Sequence, residues 1–320
     1  MNKSLKYIVC INRAGLGNRL KGLISAMRLS KITGRKLLLY WENNQYCGCD
    51  FNDLFENKFK EITKKELNDI KKKNSIVYRD VLREDYDKYD YIILDTWKFV
   101  FLPNEIPKGF NQTYSSKEGD NIDFEFERIP ERIRKMLLGE LLSLRVLKEI
   151  KEFVESFNKR HDLGRYVGLH IRRGDNRFTV DGREKISSDE KFIEIINKTP
   201  NEKFLLTTDG EDTKERFRKL FGERIIIYPE EKVLRSDKES IKQGLISMLL
   251  LSKTKHIFGS YLSTFAELAW WFGGCKPKIN IVGIEDVKNN IKQKSFYKKI
   301  LRKMRYYKVN FLRWVFRVYR

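Results

Sequence analysis

Short apolar runs alternate with stretches of helical period along most of this 320-residue chain. LKYIVCI (5–11) reads as a β-rich run, and the glycine-punctuated NRAGLGNR follows it. A helical period then runs from about Asn18 to Lys31, and GRKLLLYW reads as a second strand. Strand, glycine loop, helix, strand is the opening of a parallel α/β sheet. In the less regular middle, YDYIILD (89–95) reads as a strand and 129–160 as largely helical. From 165 the alternation resumes with RYVGLHI as a strand, SSDEKFIEIINK as a Ser-capped helix and KFLLTTD as a strand. DTKERFRKLFG is a helix closed by Gly222, RIIIY a strand, and a helix passes through 239–252. The strand HIFG, the helix STFAELAWWFG and the strand KINIVG complete the series. Short strands, apolar on both faces and separated by helices, predict doubly wound sheets. A break near 155–163 divides them, so the pattern predicts a two-domain α/β protein with a cleft between domains 1–160 and 161–287, followed by a tail, 288–320.

Charge changes this picture only at the end of the chain. The formal net charge is +21, but Lys288 to Arg320 contain 12 Lys and Arg and no Asp or Glu, leaving +9 for the body. In this tail Ile300, Met304, Tyr307, Phe311, Trp314 and Val318 fall on one helical stripe among Lys and Arg. A basic amphipathic helix with aromatic residues suits an anionic membrane surface. The same pattern also fits a stripe docked on the protein's own body, or attraction to nucleic acid. No 18-residue apolar run is present, so no spanning helix is expected, and the N-terminal apolar stretch is too short for a signal h-region. Four cysteines, Cys10, Cys47, Cys49 and Cys275, make no disulfide framework. The CGC at 47–49 has no second Cys or His pair at zinc spacing. The expectation is a reduced, cytoplasmic protein, held peripherally on the inner membrane face by its tail.

Candidate chemistry gathers at predicted strand ends, where open α/β sheets bind ligands. Gly15 and Gly17 let backbone N–H groups approach an anion, with Asn18 at the helix start as cap and candidate ligand. Arg172 and Arg173, in HIRRGD at the end of a strand, suit forked hydrogen bonds to phosphate oxygens. Ser263 and Thr264 open a helix and add donors, and Asp209 is placed to take a sugar hydroxyl. The third glycine of G-x-G-x-x-G and the GK[ST] of a P-loop are both missing, which argues against nicotinamide and ATPase chemistry. Together the four strand ends predict a diphosphate-bearing ligand in the cleft.

GLGNRL, HIRRGD and SKTKHIFGSYLSTFAELAWW, in that order, resemble the three signature regions of the GT-B fucosyltransferases, over about 16–41 and 165–275. The resemblance implies two Rossmann-like domains facing each other and inverting transfer from GDP-fucose to a glycan hydroxyl, with no cofactor and no metal; the basic tail alone points to a lipid-linked glycan as acceptor. It implies that one or both of Arg172 and Arg173 bind the diphosphate and stabilise the leaving group, with His170 near the nucleotide. Gly15, Gly17, Asn18 and Arg19 would close over the donor from the first domain, while Asp209, Ser263, Thr264 and Phe265 hold it from the second. Asp175 is the motif's candidate general base, and Asp181 and Glu184 are equal alternatives. Ser247 stands where several relatives carry a guanine-reading Asp, so another nucleotide sugar remains open, and Asp237 or Glu239 is a candidate substitute. Two other readings compete. DYD (85–87) could serve a metal-dependent GT-A transferase, although its surroundings read as a solvated turn. A nucleic-acid protein acting through the tail is opposed by the lack of basic continuity onto the body.

Overall fold

A computed structural model describes residues 5–79, 81–96, 98–105, 129–173, 183–229 and 234–286; Asp175, Asp181 and the tail 288–320 lie outside them, as does the side chain of Glu184. The first half carries β1 (Tyr7–Asn12), α1 (Leu16–Thr33), β2 (Lys36–Trp41), β3 (Lys60–Glu61), α2 (Lys64–Lys71), β4 (Ser75–Tyr78) and β5 (Tyr91–Asp95). Then come α3 (Glu131–Leu142) and α4 (Lys148–His161). The second half carries β6 (Val167–Ile171), α5 (Arg183–Ile186), α6 (Asp189–Asn197), β7 (Phe204–Thr208), α7 (Glu211–Phe221) and β8 (Ile225–Ile227). It closes with α8 (Lys238–Leu251), β9 (His256–Ser260), α9 (Thr264–Phe272) and β10 (Lys278–Val282).

These strands form two five-stranded sheets, ordered β3-β2-β1-β5-β4 and β10-β9-β6-β7-β8. Every ladder in both is parallel. β6 and β7 are buried along their whole length, as continuous apolar runs between two helix layers require. In the second sheet β7 and β8 extend to one side of β6, and β9 and β10 to the other. The strand order therefore reverses between β6 and β9, the place where such sheets open a crevice at their carboxyl ends.

Two details differ from the sequence expectation. α1 begins at Leu16, not near Asn18, because Gly15 takes the extended capping conformation and Gly17 is admitted into the first turn. The 129–160 stretch is two helices. Between them Leu147 donates its N–H to Leu54, Glu56 donates to Arg145, and Val146 bridges Phe55, so tertiary pairing interrupts a helical pattern. The expected break near 155–163 falls on the last turns of α4 and its left-handed cap, Asp162 (φ 52°). α4 itself leans on the second half, where Glu149 meets Lys242 at 3.0 Å.

The halves share one apolar core. Leu20, Leu23 and Ile24 of α1, Ile133 and Leu137 of α3, Leu245 of α8 and Trp271 of α9 belong to a single buried cluster. Within it Phe99 packs on Trp271 at 5.1 Å between ring centres. A fully buried ion pair crosses the same seam: Lys21 Nζ lies 3.0 Å from Glu267 Oε2, with neither side chain exposed. Lys21 also sits over the Phe99 ring at 4.8 Å. In such surroundings the pair holds only because each charge answers the other.

Candidate active site at the β6–β9 crevice

The carboxyl ends of β6 and β9 are stapled by one hydroxyl. Ser260 Oγ donates to the His170 carbonyl (3.2 Å) and accepts the Arg172 N–H (3.0 Å). Both arginines thus leave the sheet at the switch point, and the side chain of Arg173 is held firmly there. Each of the three guanidinium nitrogens of Arg173 has a protein acceptor: Asp189 Oδ1 (3.2 and 2.6 Å), the Arg172 carbonyl (2.8 Å) and the Ser187 carbonyl (2.9 Å). Its backbone N–H donates to Asp209 Oδ1 at 2.6 Å. Gly210 must be glycine here, because a Cβ would stand 2.8 Å from Arg173 Cβ. Arg173 therefore braces the loop ends and the start of α6, while Arg172 occupies the position beside Ser260.

His170 is 6% exposed and lies stacked on Phe265, with ring centres 4.4 Å apart and planes at 12°. Burial pushes its pKa down to about 3, opposed by Asp209 and helped by the two arginines, so the ring is neutral at physiological pH. Its Nδ1 is 3.1 Å from Thr207 Oγ1, whose hydroxyl lies 3.3 Å from the Leu169 carbonyl. A hydroxyl donating to that carbonyl accepts from an Nδ1–H, which makes Nε2 the acceptor nitrogen. Nε2 is buried without a hydrogen-bond partner among the described residues, and so is Ser263 Oγ. Buried polar atoms of this kind are costly and uncommon, and two of them meet at one crevice.

Ser263 is the N-cap of α9 but makes no capping bond with its side chain, and Thr264 opens the helix. The turn leading in is tight: Leu262 holds φ 57°, a conformation unfavourable for a residue with a branched side chain. Such an arrangement persists only where the surrounding fold imposes it. From the first half, Gly17 packs against this same helix start, where a Cβ would be 3.1 Å from Thr264 Oγ1 and 3.2 Å from its carbonyl. Gly17 is thus explained by the approach of the two halves. At Gly15 a Cβ would meet nothing nearer than 3.7 Å, and Asn18 is half-buried in the first turn. Arg19 is 1% exposed and donates from Nε to the Ala14 carbonyl (2.7 Å) and from Nη2 to Asn44 Oδ1 (3.1 Å). It shapes the glycine loop from behind, above the Trp41 ring at 4.9 Å.

The structure thus brings His170, Arg172, Asp209, Ser263, Thr264, Phe265 and Gly17 to one place. Ser247, by contrast, is 2% exposed within α8 and donates to the Gln243 carbonyl (2.8 Å). A buried, internally bonded side chain is badly placed to read a base. Asp237 caps α8 by accepting from Ser240 N (2.8 Å), and Glu239 pairs with Lys242 (3.4 Å). The DYD aspartates lie toward the amino ends of the first sheet, with Asp87 between Lys6 and Arg35 (both 3.1 Å) and Asp85 against Arg83 (3.2 Å). Among the described residues no cluster of three or more His, Cys, Asp or Glu is arranged to hold a metal ion. Sequence reasoning missed Ser260, Thr207 and Asp189, whose importance lies in partners distant along the chain. It also passed over Lys21 and Glu267, although a glutamate inside FAELAWWF was a visible signal.

Solved structures share this architecture. NodZ, an α1,6-fucosyltransferase co-crystallised with GDP, aligns with a TM-score of 0.53 at 16% identity, over 83% of this chain and 91% of its own. The Bradyrhizobium NodZ structure gives 0.52 over 83% and 92%, again at 16% identity. FUT1 of Arabidopsis thaliana, in complex with GDP, gives 0.55 at 16% identity over 88% of this chain and 71% of that one. The fold is that of the GT-B fucosyltransferases. No protein-family model and no curated protein matches the chain in sequence. In GT-B terms the β6–β9 crevice belongs to the C-terminal Rossmann-like half, and the glycine loop faces it from the N-terminal half.

Proposed function

We propose that this chain is an inverting, metal-independent glycosyltransferase that moves fucose from GDP-fucose to a hydroxyl of a glycan or glycolipid. The observation that carries this reading is the β6–β9 switch point, where Arg172, the neutral His170 and the start of α9 converge opposite Gly17. A diphosphate there meets a guanidinium and the N-terminal N–H groups of a helix, which together take up the charge that grows on the leaving group. In this reading Arg172 is the phosphate-binding member of the pair and Arg173 positions it, since the guanidinium of Arg173 is committed to Asp189 and Ser187. His170 Nε2 offers an acceptor for a donor hydroxyl. The acceptor hydroxyl attacks C1, the bond from C1 to the phosphate oxygen breaks, and GDP departs. Asp175, Asp181 and Glu184 remain the candidates to take the hydroxyl proton.

The acceptor is proposed to lie at an anionic membrane surface on the cytoplasmic face, reached through the basic tail 288–320. That part rests on the 12 positive charges and the aromatic stripe of the tail. Equal flotation of full-length and tail-truncated protein on anionic liposomes would remove it without touching the donor site.

Thermal unfolding with GDP, GDP-fucose, UDP and ADP tests the donor reading. Ligand at 100 times its Kd stabilises the fold by about 2.7 kcal/mol. GDP and GDP-fucose should raise the Tm of the wild type, and Arg172→Ala should lose that shift. Arg173→Ala should lower the unliganded Tm as well. Stabilisation by UDP alone would transfer the donor to another sugar, and no response to any nucleotide would overturn the reading.

A further inference from the structure

The CGC turn has no part in the proposed transfer, yet it is built with care. Cys47 and Cys49 are both fully buried, with sulfurs 3.8 Å apart. The residue between them is held against the other half of the molecule: Gly48 donates its N–H to the Arg235 carbonyl at 2.8 Å. A Cβ on Gly48 would lie 2.1 Å from the Ser236 carbonyl oxygen, so only glycine allows the two backbones this close. Arg235 in turn lies 3.8 Å from Asp209 Oδ2, and Asp209 holds the Arg173 N–H. On the other side, the Cys49 carbonyl accepts from Trp41 Nε1 (3.0 Å), and Trp41 lies under Arg19. The dithiol therefore sits at the junction of the glycine loop and the segment leading into α8.

We propose that Cys47 and Cys49 form a peroxide-oxidisable dithiol, a covalent modification site whose disulfide loosens the contact between the 47–49 turn and residues 235–236. The Cys47 thiolate attacks one oxygen of hydrogen peroxide, the O–O bond breaks, hydroxide leaves, and Cys47 becomes a sulfenic acid. Cys49 sulfur then attacks Cys47 sulfur, and the departing hydroxide takes the Cys49 proton as water. The two thiols are oxidised to one disulfide and the peroxide is reduced to water. A small peroxide suits a buried pair, which it reaches through local opening of the turn.

The electrostatics favour Cys47 as the attacking sulfur. With Cys49 as the donor of the thiol–thiol contact, that bond, against the cost of burial, holds the Cys47 pKa below the ordinary thiol value, with the Arg19 charge assisting. The bond to Cys47 and burial raise Cys49 correspondingly. Arg19 has one buried guanidinium nitrogen, Nη1, without a hydrogen-bond partner among the described residues, and its charge acts on Cys47, Cys49 and Cys10. Cys10 and Cys275 are pushed up to about 12, chiefly by burial, and are poor nucleophiles beside it. Closing the sulfurs from 3.8 Å to a bond of about 2.05 Å turns the peptide units on either side of Gly48. With Gly48 pressed onto Ser236, that rotation has no slack to use and must break the bond to Arg235.

Peroxide treatment of the full-length protein, followed by alkylation under denaturing conditions and peptide mass mapping, tests the modification. Cys47 and Cys49 should lose alkylation together, as one reductant-reversible disulfide, at least about tenfold faster than Cys10 or Cys275. In Cys49→Ser, Cys47 should pass to sulfinic acid, while Cys10→Ser should behave as wild type. Hydrogen exchange at the Gly48 amide should accelerate on oxidation and recover on reduction. Retention of all thiols, a disulfide to Cys10 or Cys275, or an oxidised pair with unchanged Gly48 exchange would each overturn the proposal. None of these readouts depends on a nucleotide, so the transferase reading and this one stand or fall separately.

Discussion

At the carboxyl end of the second sheet, His170, Thr207, Ser260 and Ser263 place polar groups in a buried crevice, and two of their atoms have no hydrogen-bond partner among the described residues. At the carboxyl end of the first sheet, Arg19 bonds to the Ala14 carbonyl and to Asn44 and lies over Trp41, although its Nη1 is likewise buried without a hydrogen-bond partner among the described residues. Both sheets have five parallel strands around a central one, so topology alone does not separate them. The difference lies in what the side chains serve: at the end of the second sheet they stand where the two halves approach, and at the end of the first they hold their own loop in place. What joins them is the seam of α1 on α9, where Gly17 touches Thr264 and Lys21 meets Glu267.

Breaking the seam should have the largest effect. Lys21→Met leaves Glu267 as a buried charge without its counterion, and should cost about 3–5 kcal/mol in urea unfolding. Lys21→Met with Glu267→Leu should recover most of that loss. A double variant no better than the single would show that the seam depends on something other than charge balance.

Acid separates the two ends next. The folded pKa of His170, about 3, lies below the ordinary histidine value, so between pH 6.5 and 3 the unfolded chain binds the extra proton. Stability is therefore complete above about pH 6.5 and falls with pH below it, by at most about 1.4 kcal/mol per pH unit from this residue. His170→Phe should flatten the acid limb of a Tm-against-pH curve. An unchanged limb would mean that other groups govern acid unfolding.

Smaller changes sharpen the comparison. Gly17→Ala puts a methyl against the Thr264 carbonyl and should cost about 1–3 kcal/mol, with nucleotide affinity falling alongside stability. Thr63→Ala removes the capping box of α2, in which Thr63 Oγ1 accepts from Glu66 N (3.2 Å) and Thr63 N donates to Glu66 Oε2 (2.7 Å). It should cost about 1 kcal/mol and leave nucleotide binding unchanged, because α2 lies on the first sheet away from the seam. A loss of binding there would mean that the first half transmits strain across α1.

Most strands and helices were legible in the chain because both faces of each central strand are buried, and burial writes itself as an apolar run. Tyr7–Asn12, Val167–Ile171 and Phe204–Thr208 stand within a residue or two of their predicted positions. β3, β4 and α2 went unread because a two-residue edge strand, a short strand and an eight-residue charged helix leave little periodicity. The candidate residues were legible as types of residue at strand ends, and the structure places His170, Arg172 and Ser263 at the carboxyl ends of β6 and β9. Their partners were not legible. That the Arg173 guanidinium is held in place depends on Asp189 and Ser187, and nothing in RRGD announces it.

The chain by itself determined the alternation of strands and helices, the carboxyl-end motifs and the concentration of charge in the tail, because each follows from local spacing and residue chemistry. Tertiary structure alone decided that Gly17 serves the seam, that the Ser247 side chain is buried and bonded within α8, that Lys21 and Glu267 neutralise each other and that Gly48 presses against Ser236. Each of these depends on atoms that are far apart in sequence and meet only when the two sheets close around one shared core.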